Sequence, residues 1–311
     1  VNNTNLVPSD IKTPAEVIIN NKFFTNFRIE PENYEVEIEL MNSIAKNQVK
    51  GELMYKLKKA IKMILSGWQK TNFPTAYTEH DEILKEYMIL LHGKENVPKN
   101  QYGKVRRANT RDFLGPSSIS LEVKNIMPLD VDSSVANINH PYTVTDKADG
   151  ERKLLFITHT GRIYFIDTNM KVQFTGSITK HKTNFHTIID GEHVLFDKAG
   201  NFINMYLAFD VYFKEKENTM GYSFMNVPNQ ESNGETKGND KYRLEILGSI
   251  MNGLESTCVV KSYENPINIK MKKFYSNIGG NIFTECKKIL DGDKEGILFN
   301  YETDGLIFTP C

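Results

Sequence analysis

Apolar and polar residues along this chain change period several times, and each change predicts an element. Tyr34-Glu35-Val36-Glu37-Ile38-Glu39-Leu40 alternates strictly. A strand there puts Val36, Ile38 and Leu40 on one face and Glu35, Glu37 and Glu39 on the other. Over 43–70 the apolar residues Ile44, Val49, Leu53, Leu57, Ile61, Ile64 and Leu65 recur at helical spacing, with Gly67 as a stop. A second helix is predicted over 79–92, ended by Gly93. The stretch 94–111 has few apolar residues and carries Lys94, Lys99, Lys104, Arg106, Arg107 and Arg111. It reads either as a solvated linker or as a contact for RNA phosphates. Gly115-Pro116 is a turn, Ile119 and Leu121 begin a strand, and 126–141 is a loop.

From Tyr142 onward the period is mostly two. Tyr142 and Val144 lead into Lys147-Ala148-Asp149-Gly150-Glu151-Arg152, and a strand at Leu154-Leu155-Phe156-Ile157 follows. The lysine is therefore expected at a strand-to-strand turn, with Gly150 taking a backbone conformation that a side chain forbids. Further strands are expected over 162–168, 170–175 and 202–213. Another over 186–196 is expected to be broken at Asp190-Gly191-Glu192. A polar loop spans 214–240; then come a helix over 241–256, a strand over 267–275, a helix over 280–290, and strands at 297–299 and 306–308. No repeat or heptad is visible. The fold class is α+β, rich in antiparallel pairing, with a smaller strand-plus-helices segment in front.

Composition narrows this picture. A chain of 311 residues holds one or two domains with ample core. Its 38 Lys and Arg balance 39 Asp and Glu, so any phosphate-binding surface is local. Eighteen Phe and 14 Tyr argue against disorder. No apolar run approaches the ~20 residues of a membrane span, so no membrane partner is expected. Cys258, Cys286 and Cys311 lack metal-ligand spacing and read as reduced thiols in a cytosolic type of compartment. The chain opens on Val1 and stops after the apolar Gly305–Phe308, which reads as a piece of something longer.

Four short elements carry chemistry: Lys147-x-Asp149-Gly150-x-Arg152, Asp190-Gly191-Glu192, Phe209-Asp210, and Asp304-Gly305-Leu306-Ile307-Phe308. In this order they resemble the covalent lysyl-nucleotidyltransferases: DNA ligases, RNA ligases and mRNA capping enzymes. The guanylyltransferase module of the capping enzymes is most similar, above all in the multifunctional capping enzymes of large cytoplasmic DNA viruses. DNA ligases usually place a glutamate two positions before the lysine, where this chain has Thr145, and their late strand ends in lysine. Glu295-Gly-Ile-Leu-Phe-Asn300 is the ligase-like alternative to Asp304.

The resemblance implies an ATP-grasp-like ligase/capping domain over 113–311, without the C-terminal oligonucleotide-binding (OB) barrel and the Lys-x-Trp-Lys-type strand. It implies a helical segment and basic linker over 43–112. Residues 1–42 would be the terminal part of a tunnel-type RNA triphosphatase. Glu35, Glu37 and Glu39 would then bind a metal; on pattern alone they are equally the solvated face of a strand. Lys147 is implied as the nucleophile, with Asp149 and Arg152 beside it. Thr145, Gly150, Arg152, Glu192, Phe209 and Asp304 are implied to bind nucleotide, and Glu192 and Asp210 to bind metal. Free lysine, with a pKa near 10.4, is a poor nucleophile at neutral pH, so a neighbouring cation or metal is expected to disfavour its ammonium form. The implied substrates are GTP and a 5′-diphosphate RNA end, with Mg²⁺ or Mn²⁺ as cofactor. Further implied partners are an RNA polymerase or a cap methyltransferase subunit, in the cytoplasm, a virion or a viral factory. The alternatives are an ATP-dependent polynucleotide ligase and a non-catalytic scaffold of the same fold.

Overall fold

Antiparallel pairing between strands close in sequence builds most of the structure. A computed structural model describes residues 50–128, 135–227, 241–278, 280–296 and 298–311, together with Ile38. The chain divides into two units, Val1–Ile61 and Lys62–Cys311. In the first, Ile38 is exposed and outside any strand. Glu35, Glu37 and Glu39 lie outside the described residues. Helix α1 (Lys50–Gln69) continues two residues past Gly67, which therefore does not stop it. Its stripe of Leu53, Leu57, Ile64 and Leu65 is half-buried, and none of its residues is fully buried.

The second unit takes in the end of α1 and then α2 (Tyr77–His92), closed as expected by Gly93, whose N–H donates to Ile89 O at 2.9 Å. Among the described residues, eleven strands and two α-helices follow: β1 (Tyr142–Ala148), β2 (Glu151–Ile157), β3 (Arg162–Asp167), β4 (Val172–Ile178), β5 (Thr187–Phe196), β6 (Phe202–Lys214), β7 (Glu217–Asn218), α3 (Arg243–Gly253), β8 (Thr257–Cys258), β9 (Asn268–Met271), β10 (Tyr275–Ser276), α4 (Ile282–Lys294) and β11 (Thr303–Pro310). The larger sheet runs β7-β6-β5-β2-β3-β4-β8, and β9 lies parallel on β6. The smaller sheet runs β10-β1-β11.

Strand β2 reads as an unbroken apolar run because both faces of its sheet are covered. Leu154, Phe156, Tyr164 and Ile188 pack with Ile83, Leu84, Tyr87 and Met88 of α2. On the opposite face, Leu155, Ile157, Ile189 and Tyr206 pack with Leu247 and Ile250 of α3. A third core joins Val144, Val194 and Leu207 to Ile282 and Ile289 of α4. Each such side chain, fully buried, contributes about 1.5–3 kcal/mol.

Four expectations are corrected. Strand β5 is not broken at Asp190-Gly191-Glu192; it runs through, with a shift of register on β6 between Asp190 and Gly191. Gly191 is there because a Cβ would lie 2.4 Å from the Tyr206 ring. Residues 267–275 form two short strands, one on each sheet. Ile119 and Leu121 are exposed and outside any strand, since alternation alone supplies no partner backbone. Leu298 and Phe299 are likewise outside any strand. Among the described residues no helix is long and apolar enough to cross a membrane.

Candidate active site

The chain passes between the two sheets from β9 to β10 and at the Asp149–Gly150 turn from β1 to β2. Lys147 sits just before it, where the register between β1 and β11 shifts between Asp146 and Ala148. That irregularity leaves Lys147 beside β11, and its Nζ pairs with Asp304 Oδ2. The hydrogen bond that Lys147 donates to Asp304 raises the lysine pKa above its ordinary value, with Asp149 and Glu192 adding to it. In this state the amine is held as ammonium, the reverse of the activation expected. Glu295, the alternative to Asp304, lies at the C-terminal end of α4. Asp149 is exposed, and its N–H donates to Glu302 O at 2.9 Å. Gly150 is needed for a different reason from the one expected. It lacks a positive φ. Instead, a Cβ would lie 2.8 Å from His193 O and 2.9 Å from the Glu192 side chain.

Arg152 is the second residue of β2, opposite Glu192 of β5. Its guanidinium forks onto Asp190, with Nε to Oδ1 at 3.1 Å and Nη2 to Oδ2 at 2.6 Å. Asp190 is wholly buried and also accepts from Tyr212 Oη at 2.5 Å. Burial pushes the Asp190 pKa up, against the pull of Arg152. Nη1 of Arg152 donates to Pro116 O at 2.8 Å. Three of the five guanidinium donors are thus used within the protein. The rings of Phe113 and Phe209 lie 5.7 and 5.9 Å from the guanidinium carbon. Gly115 lets the 113–116 segment come this close: its φ is +126°, and a Cβ would lie 2.3 Å from Arg152 Nη2.

Glu192 behaves differently from its neighbours. Its carboxylate has no hydrogen-bond or ion-pair partner among the described residues, and burial pushes its pKa up to about 7 against the fields of Lys272, Arg152 and Lys147. Such a group suits a ribose hydroxyl or a divalent cation, which takes one or two protein carboxylates and fills its other positions from phosphate and water. Asp210 does not fit that part. It pairs with Arg243 Nε at 2.9 Å and accepts from Val211 N, so it is not brought to Lys147. No group of three or more His, Cys, Asp or Glu converges among the described residues. Thr145 is buried, its hydroxyl donating to Lys273 O at 2.8 Å.

Sequence reasoning missed the network behind the lysine. Lys272 Nζ, almost wholly buried, donates to Asp146 O at 2.6 Å and lies 3.1 Å from Asp146 Oδ2. Tyr301 Oη reaches the same carboxylate at 3.2 Å. A lysine between Met271 and Lys273 gives no sign of burial; Asp146, next to Lys147 on a strand, was the available clue. The missed Asp190 role had a clue too, since a carboxylate in a continuous apolar strand needs a partner.

A cleft of about 310 Å³, lined by Gly115, Pro116, Asp210, Tyr212, Met220 and Arg243, opens beside Asp190 and Arg152. Lys147, Arg152 and Glu192 are not among the residues that line it.

The chain is 31% identical over 185 residues to a protein of Acanthamoeba polyphaga mimivirus named "Probable mRNA-capping enzyme"; this covers 60% of the chain and 13% of that protein. The chain thus spans only a small part of its curated relative. Among solved structures it is similar to a mycobacterial DNA ligase D complexed with ATP and MES. That match has TM-score 0.32 and 13% identity, over 54% of this chain and 48% of that one. It is also similar to a structure titled "Pmar-Lig_Pre.", with TM-score 0.31 and 12% identity, over 55% and 38%. The profile described as "mRNA capping enzyme, catalytic domain" matches residues 88–311, a span that includes Lys147, Arg152, Glu192 and Asp304. The chain belongs to the family of mRNA capping enzyme catalytic domains.

Proposed function

We propose that this chain is an mRNA 5′-guanylyltransferase, moving GMP from GTP to a 5′-diphosphate RNA end through a lysyl-GMP intermediate. The observation that carries this reading is the pairing of Lys147 with Asp304, within the fields of Asp149 and of the unbonded Glu192.

In the first half-reaction, Lys147 Nζ must lose to solvent a proton that its pairing with Asp304 helps it hold. Its lone pair then attacks the α-phosphorus. A P–N bond forms, the bridging P–O bond breaks, and pyrophosphate leaves with that electron pair. Arg152 uses its two remaining donors on a phosphate or ribose oxygen, a forked geometry that lysine cannot supply. Phe209, half-buried beside Arg152, offers a face for the base. Glu192 would hold Mg²⁺ or Mn²⁺ together with phosphate oxygens, and the cation would offset phosphate charge. In the second half-reaction, a terminal oxygen of the RNA diphosphate attacks the lysyl-phosphorus. The P–N bond breaks, the amine takes up a proton, and GpppRNA is released.

We further propose that this reaction takes place in the cytoplasm, within a longer protein that also carries RNA triphosphatase and cap methyltransferase activities.

Incubation with α-labelled GTP and Mg²⁺, followed by mass analysis, tests the reading. One GMP on Lys147, absent from Lys147→Ala, is expected. Label from ATP but not GTP would assign the chain to a polynucleotide ligase instead.

A further inference from the structure

The basic segment 94–111 is not used by the chemistry above, yet it is built. Residues 98–106 form a tight hairpin in which Lys99 and Val105 bridge. Asn100 N–H donates to Lys104 O at 2.8 Å, and Arg106 N–H to Pro98 O at 2.7 Å. Asn100 Oδ1 accepts from the N–H groups of Tyr102 and Lys104, and Gly103 turns the tip at φ +72°. The base is fastened by Arg106, forked onto Asp112 at 3.0 and 2.7 Å.

Two features of this hairpin do nothing for the fold. Tyr102, at the tip, is 77% exposed. Lys94, Lys99, Lys104, Arg107 and Arg111 are all exposed, with no ion-pair partner among the described residues. A cavity of about 750 Å³ lies between the hairpin and α2, lined in part by Lys85, Lys104 and Arg107. Unpaired cations on the same hairpin as an exposed aromatic ring form the pairing that single-stranded nucleic acid uses: phosphates on the cations, a base on the ring. An acidic peptide would use only the cations.

The hairpin also leads into the site. Phe113 lies under Arg152, and Pro116 O accepts from it. The nine residue steps from Arg107 to Pro116 span at most about 32 Å.

We propose that the hairpin Pro98–Arg106 and the adjoining Arg107 form a docking surface for the single-stranded RNA behind the 5′ end. Tyr102 stacks on a base, and Lys99, Lys104 and Arg107 pair with phosphates. That the RNA is the acceptor rests on the guanylyltransferase reading.

The test uses the whole chain and a 3′-labelled, 5′-diphosphate 20-nucleotide RNA, read by fluorescence anisotropy alongside Lys147 labelling by GTP. Tyr102→Ala is expected to weaken RNA binding by about 5- to 150-fold, the range found for loss of one stacking ring. Lys99→Glu with Lys104→Glu is expected to weaken it further and to flatten its salt dependence. Labelling of Lys147 should be unchanged in both. Unchanged RNA affinity in both variants overturns the proposal, even where wild-type labelling succeeds. So does lost binding to polyglutamate with RNA affinity intact, which would assign the surface to an acidic protein partner. Failure of wild-type labelling, with RNA binding still lost in the variants, would remove the catalytic reading and leave the RNA surface standing.

Discussion

Lys147 holds its proton more firmly than a free lysine because Asp304 accepts from it. Removing that carboxylate should free the amine at lower pH. Asp304→Asn is therefore expected to shift the pH midpoint for acylation of Lys147 downward, followed by mass spectrometry against pH. An unmoved midpoint would show that Asp304 does not control the amine. His193 gives a second pH dependence, in stability. Its Nδ1 faces Lys153 Nζ at 2.9 Å and its Nε2 faces Asn204 Oδ1 at 2.7 Å, an arrangement that suits a neutral ring. Burial, reinforced by Lys153, lowers its pKa from 6.5 to about 4. Between those values the unfolded chain binds a proton that the folded chain refuses. Stability from this group therefore falls as pH drops from 6.5 toward 4 and is complete above 6.5. From pH 7 to pH 5 the loss is about 2 kcal/mol. Urea unfolding at both pH values should show it, and His193→Gln should remove it.

At the scale of elements, the strands were legible because alternation and apolar runs are local properties. The turn at Asp149–Gly150 and the helix stop at Gly93 were legible for the same reason. The continuity of β5 was not. An Asp-Gly pair reads as a turn unless Tyr206 and Arg152 are known to lie against it. Likewise Gly115-Pro116 reads as a bare turn, although the segment presses on the Arg152–Asp190 pair. Gly115→Ala combines an unfavourable φ of +126° with a Cβ 2.3 Å from Arg152 Nη2. Gly93, at φ +77°, has nothing within 4 Å of its missing Cβ. Gly93→Ala should thus cost only the backbone term, about 1–3 kcal/mol. Gly115→Ala should cost more, about 3 kcal/mol or above, and should also reduce labelling by GTP. Equal losses in denaturant unfolding would show that the close approach is not tight.

Across the whole second unit, Lys272 and Asp146 tie the segment after β9, on the larger sheet, to β1 of the smaller one. Lys272→Met leaves Asp146 buried and unpaired, so a loss of about 3–5 kcal/mol is expected. The double variant with Asp146→Asn should lose less than the sum of the single variants, with a coupling of at least about 1 kcal/mol in a denaturation cycle. Full additivity would mean that the pair does not join the sheets. The sequence by itself determined the strand-rich α+β class and singled out the lysine and its arginine, because spacing within a short motif survives without coordinates; between Asp304 and Glu295, the pairing with Lys147 decided. Tertiary structure decided the partners. Arg152 meets Asp190 across 38 residues, Asp210 meets Arg243 across 33, and Lys272 meets Asp146 across 126. Those pairings depend on strand register and on which face of a sheet a residue occupies. Both are set by the burial of side chains far apart in the chain, which no local pattern records.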